Sequence, residues 1–206
     1  VWVGEPPSLH LWLCAPFSSA AVATVGSWQR RWGAPFMLRT RLSTVVAPGV
    51  AAEAWLPTNK SAEPMALIAA EAELSPALGV FLKNARLMAD ATAERLLAID
   101  FGPPPASNDA IYDESAPSGA LTGSCGAFYF ADAWLELRAF LSARPEILTN
   151  HSWPEAVARF LESTGYQVRR LNGPPLCRRP SQQGTIRLAS GPDVPSLLRA
   201  AVAARS

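Results

Sequence analysis

Lysine is nearly absent from this chain: only Lys60 and Lys83 occur, and every other basic residue is arginine. With abundant alanine, this usage matches a GC-rich bacterial genome and says little about function. Histidine is as scarce, with only His10 and His151. Three cysteines, Cys14, Cys125 and Cys177, stand far apart without a CxxC pair. That spacing suggests neither a zinc site nor a disulfide framework, and a reducing compartment is the easier reading. A cytoplasmic protein without metal is the expectation. No apolar run approaches the roughly 18 residues that a membrane span needs, so no membrane association is expected. There is no GxGxxG after a strand and no GxxxxGK[ST], so no phosphate cradle and no cofactor is expected. The chain opens on Val1, as a processed or trimmed product would, and VWVGEPPS lacks the basic start and apolar run of a signal peptide.

What the chain does have is a divider. Gly102 to Gly119 reads GPPPASNDAIYDESAPSG, rich in Pro and Ser, with Asp109, Asp113 and Glu114 and no basic residue. No regular element fits it. It separates 1–101 and 120–206, two α+β halves that can also form one compact domain. The 206 residues suffice for a real core in either case. Charge is uneven although the net is +1. Residues 1–50 carry Arg30, Arg31, Arg39 and Arg41 against Glu5. Residues 51–150 are acidic on balance, and the last segment is basic again. Such asymmetry can steer a charged partner, or simply solvate the surface.

Leu9, Leu11 and Leu13 alternate with His10, Trp12 and Cys14, which predicts a strand apolar on both faces. Ser18 or Ser19 caps a helix with Ala21, Val25, Trp28 and Trp32 on one stripe. Strands are expected at Phe36 to Val46 and Ala52 to Leu56, and helices at Glu63 to Leu74 and after the Ser75-Pro76 cap. Arg95 to Phe101 reads as a strand or a helix end. Beyond the divider, Ala127 to Phe130 reads as a strand and Asp132 as the cap of the next helix. Ser152 and Glu155 form a capping box, and that helix ends at Gly165. Tyr166 to Leu171 and Thr185 to Ala189 read as strands, with an Asn172-Gly173 turn between Arg pairs. Asp193 caps a last helix. This order predicts an α+β fold: a two-layer sandwich of mostly antiparallel sheet with helices on one face, with two similar halves as an open variant.

Candidate chemistry is thin. His10-Leu11-Trp12 and His151-Ser152-Trp153 lack the hydroxyl that two-histidine phosphoesterases place two residues after each histidine. Gly123-Ser124-Cys125-Gly126 and Asn150-His151-Ser152-Trp153 echo fragments of papain-like cysteine proteases, but order and spacing do not match that family. No catalytic residue is assigned. Asp100, at the end of a possible strand, Cys125 and His151 are the first candidates if the chain is a small hydrolase or transferase.

The expectation is instead a soluble protein-binding protein, an accessory subunit or an inhibitor of immunity type. Asp109, Tyr112, Asp113 and Glu114 would meet a basic partner, with Tyr112 as the aromatic anchor. Arg169, Arg170, Arg178 and Arg179 would form a basic hairpin for an acidic partner. Nucleic acid is a less favoured partner, because that hairpin lacks stacking aromatics.

Overall fold

The computed structural model describes residues 9–14, 18–32, 36–41, 52, 55–57, 65–68, 72–82, 95–102, 125–170, 175–178, 195–196 and 199. The first unit is a parallel strand–helix–strand. β1 (Leu9–Cys14) pairs with β2 (Phe36–Arg41), Leu9 opposite Phe36 and Cys14 opposite Arg41. Between them runs α1 (Ser19–Trp32). Ser18 starts it as expected: its Oγ accepts the Ala21 N–H at 3.1 Å. Within the expected stripe Val25 is covered, while Trp28 is 48% exposed.

A second sheet has the order β3-β6-β5-β7. Its members are β3 (Met65–Ile68), β5 (Leu96–Asp100), β6 (Gly126–Tyr129) and β7 (Gln167–Arg170). β6 is antiparallel to both β3 and β5, whereas β7 is parallel to β5. A third pairing joins β4 (Glu73–Leu74) to β8 (Cys177–Arg178), antiparallel. The fold is therefore α+β with mixed pairing. The central sheet takes β3 and β5 from before the divider and β6 and β7 from after it. The described elements do not repeat as two similar halves.

Both faces of β5 and β6 are buried, which differs from the expected helices on one face. Alternation along β6 assigns the faces. Ala127 and Tyr129 point into one cluster, with Trp134, Leu137, Leu141, Val157, Phe160 and Leu161. These come from α2 (Ala131–Ser142) and α4 (Trp153–Thr164), joined by the short α3 (Pro145–Asn150). Phe128 and Phe130 point into the other, with Phe81, Phe101, Leu176 and both Cys125 and Cys177. A strand covered on both sides needs no polar alternation, so Leu96-Leu97-Ala98-Ile99 reads as a plain apolar run.

Several local expectations change. Where a helix is expected over Glu63 to Leu74, the described residues include two strands, β3 and β4. Met65 to Ile68 pairs residue for residue with β6, and this tertiary pairing outweighs the helix propensity of its Ala and Leu. Ala52 is helical and 55–57 irregular, where a strand was expected. Asp132 lies in the first turn of α2, whose N-cap is Phe130. β7 and β8 do not form a hairpin about Asn172-Gly173, because they pair in different sheets.

Other local signals are seen as read. Ser75 Oγ accepts the Ala77 N–H at 2.9 Å ahead of the helical turn at 78–82. Ser152 N and Oγ both donate to Glu155 Oε2, at 2.7 and 2.8 Å. Gly165 ends α4 at φ 72°, the left-handed value that glycine tolerates. The strand at Thr185 to Ala189 and the Asp193 cap lie outside the described residues. Positions 195, 196 and 199 are helical.

Candidate functional site

The best-defined candidate is the frame from which the Pro-rich acidic loop departs and to which it returns. β5 and β6 are antiparallel neighbours, with Asp100 opposite Ala127. Just past the end of β5, Phe101 N donates to Gly126 O at 3.2 Å, and Leu176 N donates to Phe101 O at 2.8 Å. The Asp100 carboxylate is 2% exposed. Its Oδ1 accepts the Gly102 N–H at 2.8 Å, a side-chain turn just past the end of β5. On the returning side, Cys125 is joined to Cys177 by a disulfide, with Cα atoms 6.0 Å apart. This bond corrects the reading of three unpaired cysteines. The partners are 52 residues apart in sequence, and only the fold brings them together.

Close packing surrounds the bond. A Cβ on Gly126 would come within 2.5 Å of Phe101 Cε2 and 3.3 Å of Cys177 Sγ. Glycine here lets the Phe101 ring and the sulfur close over the strand. Phe101 and Phe128 both pack edge-on to Phe81, with centroids 6.4 and 6.3 Å away.

The sequence-predicted residues fall in three groups. Asp109, Tyr112, Asp113, Glu114 and Arg179 lie outside the described residues. Arg169 is exposed on β7, at the edge of the central sheet, and Arg170 stands opposite Asp100 in the parallel register. Arg178 is engaged: its Nε donates to Glu73 Oε2 at 2.8 Å across the β4–β8 pair.

The first candidates for catalysis are not brought together as a thiol site. Cys125 is oxidised and 1% exposed, so it offers no thiolate. Asp100 is committed at least in part to its own turn. His151 is half-buried just after α3, and its backbone N–H donates to Ile147 O at 3.2 Å. His10 sits on β1 opposite Met37. Among the described residues, no cluster of His, Cys, Asp or Glu could hold a metal ion. Nor is any helix among them long and apolar enough to cross a membrane.

Sequence reasoning missed an aromatic cluster under the helices. Tyr129 packs edge-on to Trp134 with ring centroids 4.9 Å apart, and its hydroxyl accepts the Trp153 Nε1–H at 3.2 Å. Trp134 Nε1 donates to Trp55 O at 3.1 Å. Burial, with the nearby Asp100 charge, pushes the Tyr129 phenol far above its ordinary value, so it stays neutral. Tyr166 stacks on Phe160 at 5.3 Å. Burial, a hydrogen bond to Glu136 and the charges of Glu136 and Asp132 push its phenol up to about 12. Both tyrosines satisfy buried or crowded hydroxyls within the core and its rim, a packing role. The rings of Tyr129, Trp134 and Trp153 come from a strand and two different helices, so no single periodicity marks them.

No protein-family model matches this chain, and no curated protein matches it.

Proposed function

We propose that this protein binds another protein, as an accessory subunit or inhibitor, and that the 102–119 loop is its principal recognition element. One observation supports the reading: the described residues that flank the loop, Asp100 to Gly102 before it and Cys125 and Gly126 after it, sit in a buried frame. Asp100 and Phe101 are hydrogen-bonded on the near side, and Gly126 and the Cys125 disulfide are anchored on the far side. A long excursion between adjacent strands, carried on a rigid scaffold, is the usual setting of binding residues. Asp109, Asp113 and Glu114 would meet a basic surface, and Tyr112 would be its aromatic anchor. Exposed Arg169, with Arg170 and Arg179, offers a second surface of opposite charge. Arg178 enters this reading already paired with Glu73. The alternative, a small enzyme, loses the thiol on which it leaned.

The test is affinity capture of the tagged chain from its native host, followed by charge reversal. One partner at near-equal stoichiometry is expected. The double variant Asp113→Lys/Glu114→Lys should bind it roughly 10- to 100-fold more weakly, with the unfolding midpoint unchanged. Unchanged affinity would remove the loop from the interface. A clean monomer with no partner would remove the binding reading altogether.

A further inference from the structure

We infer that Cys125–Cys177 is a permanent structural staple, formed as the chain folds, and that the protein acquires it in an oxidising compartment. Three observations carry this. First, both sulfurs are inaccessible: Cys125 is 1% exposed and Cys177 0%, inside the cluster of Phe81, Phe101, Phe128 and Leu176. A redox-active disulfide must present one sulfur to an attacking thiolate, and this one does not. Second, the bond adds a covalent tie beside a backbone pairing: among the described residues β8 pairs with β4 at Glu73–Arg178 and Leu74–Cys177, next to the bonded sulfur. Third, the stapled residues sit where three segments meet. Leu176 N donates to Phe101 O, and Ser75 N donates to Leu176 O at 2.9 Å. The bond thus fastens the 175–178 segment onto the ends of β5 and β6 and the start of the 78–82 turn.

Formation removes two electrons and two protons from the two thiols. A disulfide-bearing oxidant accepts them and leaves as two thiols. Such bonds form and persist in secretory or periplasmic spaces and are rare in a reducing cytosol. Cys14, on β1, is the third cysteine of the sequence and is not part of this bond.

The experiment is thiol trapping of the full chain in its native host. Cells are quenched in acid, alkylated under denaturing conditions without reductant, fractionated, and the chain is read by peptide mass spectrometry. The expected result is one alkylated cysteine, Cys14, and a linked peptide pair holding Cys125 and Cys177, in an exported fraction. Three alkylated cysteines, or recovery from the cytosolic fraction, overturns the inference. A second measurement separates a bond from mere packing. Cys125→Ala or Cys177→Ala alone should already lose the bond's whole contribution, so the second substitution in the double variant should lower the unfolding midpoint much less than the first. Midpoints that fall additively from single to double variant would mean two packed thiols and no bond. Neither outcome depends on the partner-binding reading.

Discussion

The two faces of the central sheet are closed by different means. On one face, α2 and α4 lay Trp134, Leu137, Leu141, Val157, Phe160 and Leu161 against Ala127 and Tyr129. Those residues recur at helical spacing, and capping signals mark where α4 starts and stops. On the other face, a helical turn, two very short strands and a disulfide close over Phe101, Phe128 and Phe130. There the covering pieces come from positions as far apart as Ala77 and Cys177. The lesson is one of locality. A helix layer is specified by neighbours in sequence, whereas the stapled face exists only once distant segments have met. Ordering such segments costs conformational entropy that few local contacts offset. A covalent link closing a loop of this length stabilises by roughly 4 kcal/mol in the chain-entropy account.

Breaking the helical face should have the largest effect. Trp134 is fully buried, packs on Tyr129 and donates to Trp55 O. Trp134→Ala should cost about 3–5 kcal/mol in urea unfolding, through the cavity and the orphaned carbonyl. A cost under ~1 kcal/mol would mean that the helices do not close this face.

On the stapled face, Gly126→Ala should cost about 1–3 kcal/mol by overpacking. The new methyl would meet Phe101, itself fully buried and unable to withdraw. Pairing it with Phe101→Leu sharpens the comparison, because the smaller side chain should recover part of the loss. If Phe101→Leu gives no recovery, the clash lies elsewhere.

The smallest effect tests a local signal on the helical side. Ser152→Ala should cost about 1 kcal/mol, the usual value for a lost N-cap. Hydrogen bonds from the Ser152 backbone N–H and hydroxyl hold the Glu155 carboxyl below the ordinary carboxylate range. A lowered folded-state pKa stabilises above the unfolded value and loses that contribution as pH falls through the folded one. The wild type should therefore lose thermal midpoint on acidification below about pH 4, and Glu155→Gln should lose less. Parallel acid profiles for the two proteins would remove Glu155 from the cap.

This contrast explains what could be read in advance. Ser18, Ser75, Ser152, Glu155 and Gly165 announce their roles because a cap is a contact across two to four residues. Leu96 to Ile99 were ambiguous because a strand buried on both faces shows no alternation. Met65 to Ile68 were mistaken for helix because their partner, β6, lies some sixty positions on in the chain. Cys125 and Cys177 looked unrelated for the same reason: no spacing rule marks a pair that only tertiary structure assembles. Of the candidate site, the sequence shows the loop and its charges. The frame beneath it, with Asp100 turned onto Gly102 and Phe101 held between Gly126 and Leu176, depends on contacts the linear order hides.

The most direct measurement is amide hydrogen exchange on the oxidised and the reduced protein, read by peptide mass spectrometry. If the stapled face depends on the covalent link, reduction speeds exchange across 73–81 and 176–178 and leaves 131–164 as protected as before. Equal acceleration over both regions, or none in either, would contradict the division of the core into a locally specified face and a stapled one.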